Sequence, residues 1–340
     1  MPSPETALSG EPESLLAVFG WYILASVLVI GFVTVSAMFL IWWERKVSAH
    51  MQSRLGPMRV GWHGWLQSIA DALKLLQKEN IIPARADRPV FWMAPVVVFI
   101  PAFLAYVCIP FGPRLIAEDL TIGLLYILAI TSVAIVGIFM AGWASNNKYS
   151  SLGAMRTVAQ MVSYEVPLLL SLLGVVILTQ SLSMQTIVES QAGIWFIALQ
   201  PLGFLIYITA ATAEVNRTPF DIPEAESELV AGYHTEYSGM KFAFFFVAEY
   251  TNLFTIAAIA TALFLGGWHG PLLPPVVWFL LKSYFIVFLL MWFRWTFPRV
   301  RIDQMIGLGW KVLIPLSFLN LILTSLVVLL LQGGSAGGVS

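Results

Sequence analysis

What most constrains this 340-residue chain is the recurrence of apolar runs close to the ~20 residues that cross a bilayer as a helix. Eight follow one another, at roughly 17 to 43, 91 to 112, 121 to 142, 157 to 180, 194 to 213, 240 to 266, 276 to 295 and 309 to 332. Hydrophobic residues make up 59% of the chain and charged residues only 11%, which takes it outside the soluble globular range. In lipid every backbone polar group needs an internal partner, so only helices and closed barrels span, and runs this long exclude alternating barrel strands. The expected fold is an all-α integral membrane protein with about eight transmembrane helices.

Basic residues set the expected orientation. Arg45, Lys46, Arg54, Arg59, Lys74, Lys78, Arg85 and Arg88 crowd the segment from 44 to 90, and Lys148, Arg156, Arg217, Lys241, Arg299, Arg301 and Lys311 recur in or beside every second connection. The opposite connections hold only Arg114. The positive-inside rule puts the basic set in the cytoplasm and both termini on the outer side of a bacterial inner membrane. The chain divides into an outer segment 1–16, one transmembrane helical domain 17–332 whose main cytoplasmic loops are 44–90 and 214–239, and a disordered outer tail 333–340. Residues 1–16 lack a basic leading region and a small-residue cleavage site, so the first span is not read as a removable signal.

Within the first loop, Trp65, Leu66, Ile69, Leu73 and Leu76 recur at helical spacing, with Gln67, Asp71, Lys74 and Lys78 opposite. An amphipathic helix over Trp65–Glu79, too short and too charged to span, is expected to lie on the cytoplasmic membrane surface or to roof a cavity. Trp42, Trp43 and Arg45 suit an aromatic belt with its inside anchor. Cys108 stands alone, and His50, His63, His234 and His269 all fall in connections. No metal, haem or cluster is expected on this chain.

Carboxylates are scarce except between Ala213 and Lys241, where Glu214, Asp221, Glu224, Glu226, Glu228 and Glu236 crowd together. Pro223 suits a first helical position, with Glu224 and Glu228 on one face of the following turns. Acids at a helix start are also ordinary partners of the macrodipole. Glu165 and Glu249 fall about 12 and 13 Å along their spans, and Lys282 about 9 Å from the outer end of its own. Charges at such depth are costly and commonly mark ion or proton routes, although a buried ion pair or a snorkelling lysine would serve as well. Burial raises a carboxyl's proton affinity, so such groups can load and release protons near neutral pH.

Several blocks together carry a resemblance. They are Glu44-Arg-Lys through Gln52-Ser-Arg-Leu-Gly-Pro57, Arg59-Val-Gly61, Leu66-Gln67 with Ala70-Asp71 and Lys74-Leu75, Gly142-Trp-Ala-Ser-Asn-Asn-Lys-Tyr149, Ser163-Tyr-Glu165, the run Ala213 to Tyr233, Glu236-Tyr-Ser-Gly239, Ala248-Glu-Tyr250 and Pro298-Arg-Val-Arg-Ile-Asp-Gln304. From about residue 42 to 316 the chain resembles the H-subunit family of bacterial NADH:quinone oxidoreductase, the counterpart of subunit 1 of mitochondrial complex I.

The resemblance implies a membrane-arm subunit that encloses a ubiquinone or menaquinone chamber together with two peripheral subunits. Small membrane subunits and antiporter-like subunits would be its neighbours. Iron–sulfur clusters, FMN and NADH would sit on partner chains, with quinone as substrate, lipid around the bundle and no nucleic acid. Carried over by position, Glu44, Arg45, Arg54, Trp65, Asp71, Arg217, Phe220 and Asp221 would border the chamber. Glu165, Glu214, Glu224, Glu226, Glu228, Glu249, Asp71 and Lys282 would couple protons, as a strongly interacting group.

Other classes fit the pattern less well. A secondary transporter would show an inverted repeat, which is not evident. A retinal-type pump would place its lysine deeper than Lys282 and end one span earlier. A membrane-bound hydrogenase or another complex I-like enzyme uses a homologous subunit. Phe220, Ile222, Trp62 and Trp65 put apolar groups into polar stretches, which would suit coverage by partners.

Overall fold

Runs that are uniformly apolar and poor in helix breakers leave the backbone no partner but itself, and in the computed structural model they become helices. The structure describes residues 12–222 and 226–336, and among these no β-strand forms. Helix α1 is Pro12–Met51, α2 Gln67–Gln77, α3 Arg88–Leu104, α4 Gly123–Ala144, α5 Lys148–Thr179, α6 Met184–Glu189 and α7 Phe196–Leu199. They are followed by α8 Pro201–Glu214, α9 Glu226–Leu229, α10 Gly239–Phe264, α11 Pro275–Thr296, α12 Ile302–Leu308 and α13 Ile314–Ala336, with a π turn, Gly309–Leu313, between the last two. Seven helical stretches among the described residues are long and apolar enough to cross a membrane. The chain is a multi-pass membrane protein.

The expected fifth span, 194 to 213, is the exception. It is broken at Gln200, whose backbone leaves the helical region (φ −131°, ψ 57°), and Pro201 then opens α8. Proline has no N–H to continue a ladder. The 14 residues of α8 rise about 21 Å, short of the ~30 Å hydrocarbon core. The buried Gln200 side chain donates to Thr324 Oγ1 at 3.0 Å, so the break is bound to α13. At the ends, α1 already starts at Pro12 and α13 runs through Ala336, while residues 1–11 and 337–340 lie outside the described residues.

Helix α10 is the hub. It packs against α1, α3 and α11, and from Leu253 to Phe264 its side chains are buried throughout. The expected amphipathic helix forms as α2, where Ser68 Oγ donates to Met38 O of α1 at 2.8 Å. Its far end meets the start of α10 through Ser238 Oγ, which donates to Glu79 O at 3.1 Å. Between α1 and α2 the chain turns sharply: Gly64 has φ 76°, and a Cβ there would collide with the Pro57 backbone. The apolar stripe Leu66, Ile69, Leu73, Leu76 is exposed and free to meet lipid, while half-buried Asp71 turns inward.

Phe220 and Ile222 correct an expectation. Both are buried in this chain's own core, and the Phe220 ring lies 5.3 Å from that of Tyr164. The loop folds back between α5 and α12, which removes them from any partner surface. Trp62 and Trp65 remain exposed, at 78% and 56%.

Candidate functional site

Helix α8 ends at Glu214, and the chain reverses through Asn216 (φ 52°) to deliver Arg217 into the bundle. Gln160 of α5 fixes this reversal: its Nε2 donates to Ala213 O at 2.7 Å and to Phe220 O at 2.8 Å, on either side of the turn. Arg217 is 4% exposed. Its Nη1 donates to both oxygens of Glu44 on α1, at 2.9 and 3.0 Å. Its Nη2 stands 2.9 Å from Glu249 Oε1 on α10, an ionic contact rather than a directed hydrogen bond. The guanidinium also covers the Tyr250 ring at 4.8 Å. From α11, Arg294 forms a second ion pair with Glu44.

Two carboxylates and two guanidiniums therefore alternate across α1, the loop, α10 and α11, and their formal charges cancel. Burial opposes the charge on Arg217, yet Glu44 and Glu249 outweigh it and hold its pKa well above the ordinary arginine value. Beside this array, Asp221 pairs with Arg299 at 3.2 Å. Burial lifts Asp221 above the usual aspartate range, against the pull of Arg299, Arg294 and Arg217.

A cavity of about 30 Å³ lies between Glu249 and Glu214, bordered also by Asn216 and Asn252. That volume has room for about one water, and its wall sets these four polar residues among apolar ones, with Val98, Ala134, Ile138, Met161 and Phe245 facing them. Asn252 Oδ1 is buried there without a hydrogen-bond partner. Glu165 on α5 accepts a hydrogen bond from Ser132 Oγ on α4. Glu44, Arg217 and Glu249 are thus brought together directly, and Glu214 joins them across the cavity.

Two larger recesses flank α2. One, of about 600 Å³, opens between α1, α2 and α10 and includes Arg45, Asp71, Lys74, His234, Tyr237 and Phe242 in its wall. Arg45 pairs with Asp71 there, and Gln67 Nε2 donates to Asp71 Oδ1 at 3.2 Å. Burial pushes His234 down to about 4, so its imidazole stays neutral across the physiological range. The other, of about 970 Å³, is apolar and lies between α1, α2 and α11, where Trp42, Trp43, Trp65, Tyr284 and Phe288 line it.

The remaining expected residues lie apart. Glu228 is 57% exposed and pairs with Arg156 at 2.6 Å, which holds it below the usual glutamate range. Glu236 accepts from Asn147 Nδ2 at 2.6 Å. Glu224 lies outside the described residues, as does the side chain of Glu226, whose backbone opens α9. Arg54 sits in the exposed turn after α1. Lys282 donates to three carbonyls, Leu265 O at 2.6 Å, Gly267 O at 3.0 Å and His269 O at 2.6 Å, which pins α11 to the loop after α10. All three of its donors are used.

Sequence reasoning missed Arg294 and Gln160. Arg294 had one signal, a lone cation in the last turn of an apolar span. Gln160 had none, because a neutral amide in an apolar helix reveals its partners only when the distant loop is in place.

The chain matches the NADH dehydrogenase family over residues 24–325. It is 58% identical over 304 residues to the NADH-quinone oxidoreductase H-subunit of Dehalococcoides mccartyi strain CBDB1, covering 89% of this chain and 86% of that one. To the H-subunit of the same enzyme in Bacillus cytotoxicus it is 52% identical over 314 residues, 91% and 93% of the two chains. The Anoxybacillus flavithermus H-subunit is 53% identical over 306 residues, 88% and 90%.

Proposed function

The chain belongs to the NADH dehydrogenase family, and from that premise we propose how it serves a NADH-quinone oxidoreductase, the enzyme complex of which it is a membrane subunit. Its part is to wall the membrane side of the quinone chamber and to carry the electrical consequence of quinone reduction into the bundle. Electrons would arrive from FMN and iron–sulfur clusters on partner chains. The basic connections at one end of the bundle support a cytoplasmic face for the chamber and outer-side termini in a bacterial inner membrane.

One observation carries the reading: a single buried guanidinium, Arg217, is shared between Glu44 and Glu249. Arg45, which flanks Glu44 one residue along α1, lines the 600 Å³ recess with Asp71, a volume within the usual range of small-molecule sites. Reduction of a quinone to a quinol takes up two electrons and two protons. Negative charge appearing beside the array draws Arg217 and Arg294 toward the chamber. Glu249 then loses part of its counter-charge and takes up a proton, and Glu214, across a cavity with room for about one water, is the next carboxylate on that proton's way. The array works as a unit because moving one charge changes the balance of the others.

The test uses the intact complex in proteoliposomes, with subunit content measured to confirm assembly. Glu249→Gln and Glu214→Gln should each lower NADH-driven quinone reduction roughly tenfold, the equivalent of about 1.4 kcal/mol in barrier height, with proton uptake falling alongside. Unchanged turnover and unchanged proton uptake in both assembled variants would sink the reading.

A further inference from the structure

Lys241, in the first turn of α10, is a buried cation with no counter-ion among the described residues. It is 4% exposed, and its Nζ has no hydrogen-bond partner. Its company is aromatic, with Nζ 3.7 Å from the Trp92 ring centre and 4.8 Å from that of Phe91. Such contacts offset only part of what it costs to bury an ammonium. The N-terminal ends of α3 and α10 both lie here, and their dipoles add positive potential. Asp87 stands at the N-cap of α3, yet no carboxylate among the described residues pairs with Lys241.

Neighbouring residues indicate what supplies the counter-charge. Arg88 stands one helical turn before Trp92 on the same face of α3, is exposed, and forms no ion pair among the described residues. Trp92 is 53% exposed, and its indole N–H meets no acceptor among the described residues. Every fourth residue continues the row as Val96, Ile100 and Leu104, exposed at 47%, 49% and 42%, a strip that winds about 40° round the helix at each step. At ~1.5 Å per residue the strip from Trp92 to Leu104 is about 18 Å long, the scale of an acyl chain.

We propose that the starts of α3 and α10 form a binding site for one anionic phospholipid, its phosphate held by Arg88, Lys241 and the Trp92 N–H and its acyl chain laid along Val96, Ile100 and Leu104. The phosphate reaches Lys241 when the exposed Trp92 ring, which now covers the ammonium, swings aside. A carboxylate on a neighbouring subunit would match the cations, but its two oxygens serve three separate donors, Arg88, Lys241 and the Trp92 N–H, less fully than the oxygens of a phosphate do. Basic residues between helices at the membrane boundary are a known means of holding lipid headgroups. The site uses none of the residues of the Arg217 array and does not depend on the proposed coupling.

The experiment delipidates the intact complex in neutral detergent, adds back phosphatidylglycerol or phosphatidylcholine, and reads retained lipid by native mass spectrometry together with the shift in Tm. Arg88→Gln changes an exposed side chain, and Lys241→Met keeps the buried stem, so both variants should assemble. Each should hold one fewer phosphatidylglycerol and weaken its apparent Kd roughly fivefold, the worth of one basic residue near an anionic surface. Wild-type lipid counts and affinities in both variants would overturn the proposal. A Tm rise reproduced by inorganic phosphate alone would assign the site to a free anion instead. Loss of a neighbouring membrane subunit from Lys241→Met with its lipid count unchanged would assign the charge to that subunit's carboxylate.

Discussion

At the scale of single residues, burial gives ordinary side chains unusual duties. Arg217 is one buried cation with a carboxylate on either side, so removing either carboxylate unbalances the array but leaves Arg217 a partner, and the loss should fall below the ~3–5 kcal/mol of a buried charge stripped of its sole partner. His234, at the wall of the recess beside α2, shows the opposite case. Its ring packs edge-on against Tyr233 and Phe242, with centroids 4.9 and 5.4 Å away, and burial lowers its pKa from 6.5 to about 4. Between those two values the unfolded chain binds a proton that the folded one refuses, so the stability His234 contributes is present above pH 6.5 and lost as pH falls toward 4. His234→Gln should therefore flatten the acid-side fall in Tm between about pH 6.5 and 4 relative to the wild type, read by scanning calorimetry or dye-based melting of the complex. Parallel curves for the two proteins would show that the imidazole titrates normally. His234 carried no such meaning in the sequence, where it is one of four histidines expected in connections, of which His50 in fact lies in the last turn of α1.

At the scale of elements, the positions that matter most are those where two backbones meet. A Cβ on Gly153 of α5 would stand 2.8 Å from the backbone of Gly232 and 2.9 Å from Tyr233 N, so α5 and the 232–234 turn touch with no side chain between them. That turn carries His234 and leads to Tyr237 in the recess wall. Gly153→Ala should cost about 1–3 kcal/mol by overpacking. It should also loosen the 232–238 segment, seen as faster amide exchange there than in α5. Exchange unchanged in that segment would show that the contact relaxes elsewhere. The same scale explains the short α8. Residues 194–213 are apolar enough to read as a span, but Pro201 and the polar grip of Gln200 on Thr324 divide them, and a polar contact across helices has no hydropathy signature.

At the scale of the molecule, the ion array joins residues 205 positions apart, Glu44 on α1 and Glu249 on α10, through a loop residue between them. Because they share one guanidinium, their contributions cannot be independent. In a double-mutant cycle, Glu44→Gln, Glu249→Gln and the pair together should depart from additivity by about 0.5–3 kcal/mol in the stability of the assembled complex, measured by denaturation of the purified enzyme. Strict additivity would mean that Arg217 serves one carboxylate at a time. Lys282 makes a useful contrast: at its depth it reads like a coupling group, yet its three donors end on the carbonyls of Leu265, Gly267 and His269, which ties two helices together.

The sequence by itself determined that this chain is a helical membrane protein, roughly where its membrane-crossing helices lie, and which family it belongs to. Those features follow from length, hydropathy and short blocks of residues, all local in the chain. It also singled out Glu44, Arg217 and Glu249, but assigned the first two to a chamber wall and the third to a buried path. Only the tertiary structure decided that they form one charge array, that Arg294 completes it, and that Phe220 turns into the core. The reason is physical. Inside a low-dielectric bundle the state of an ionisable group is set by whatever stands within a few ångströms, and those neighbours come from helices and loops far apart in sequence.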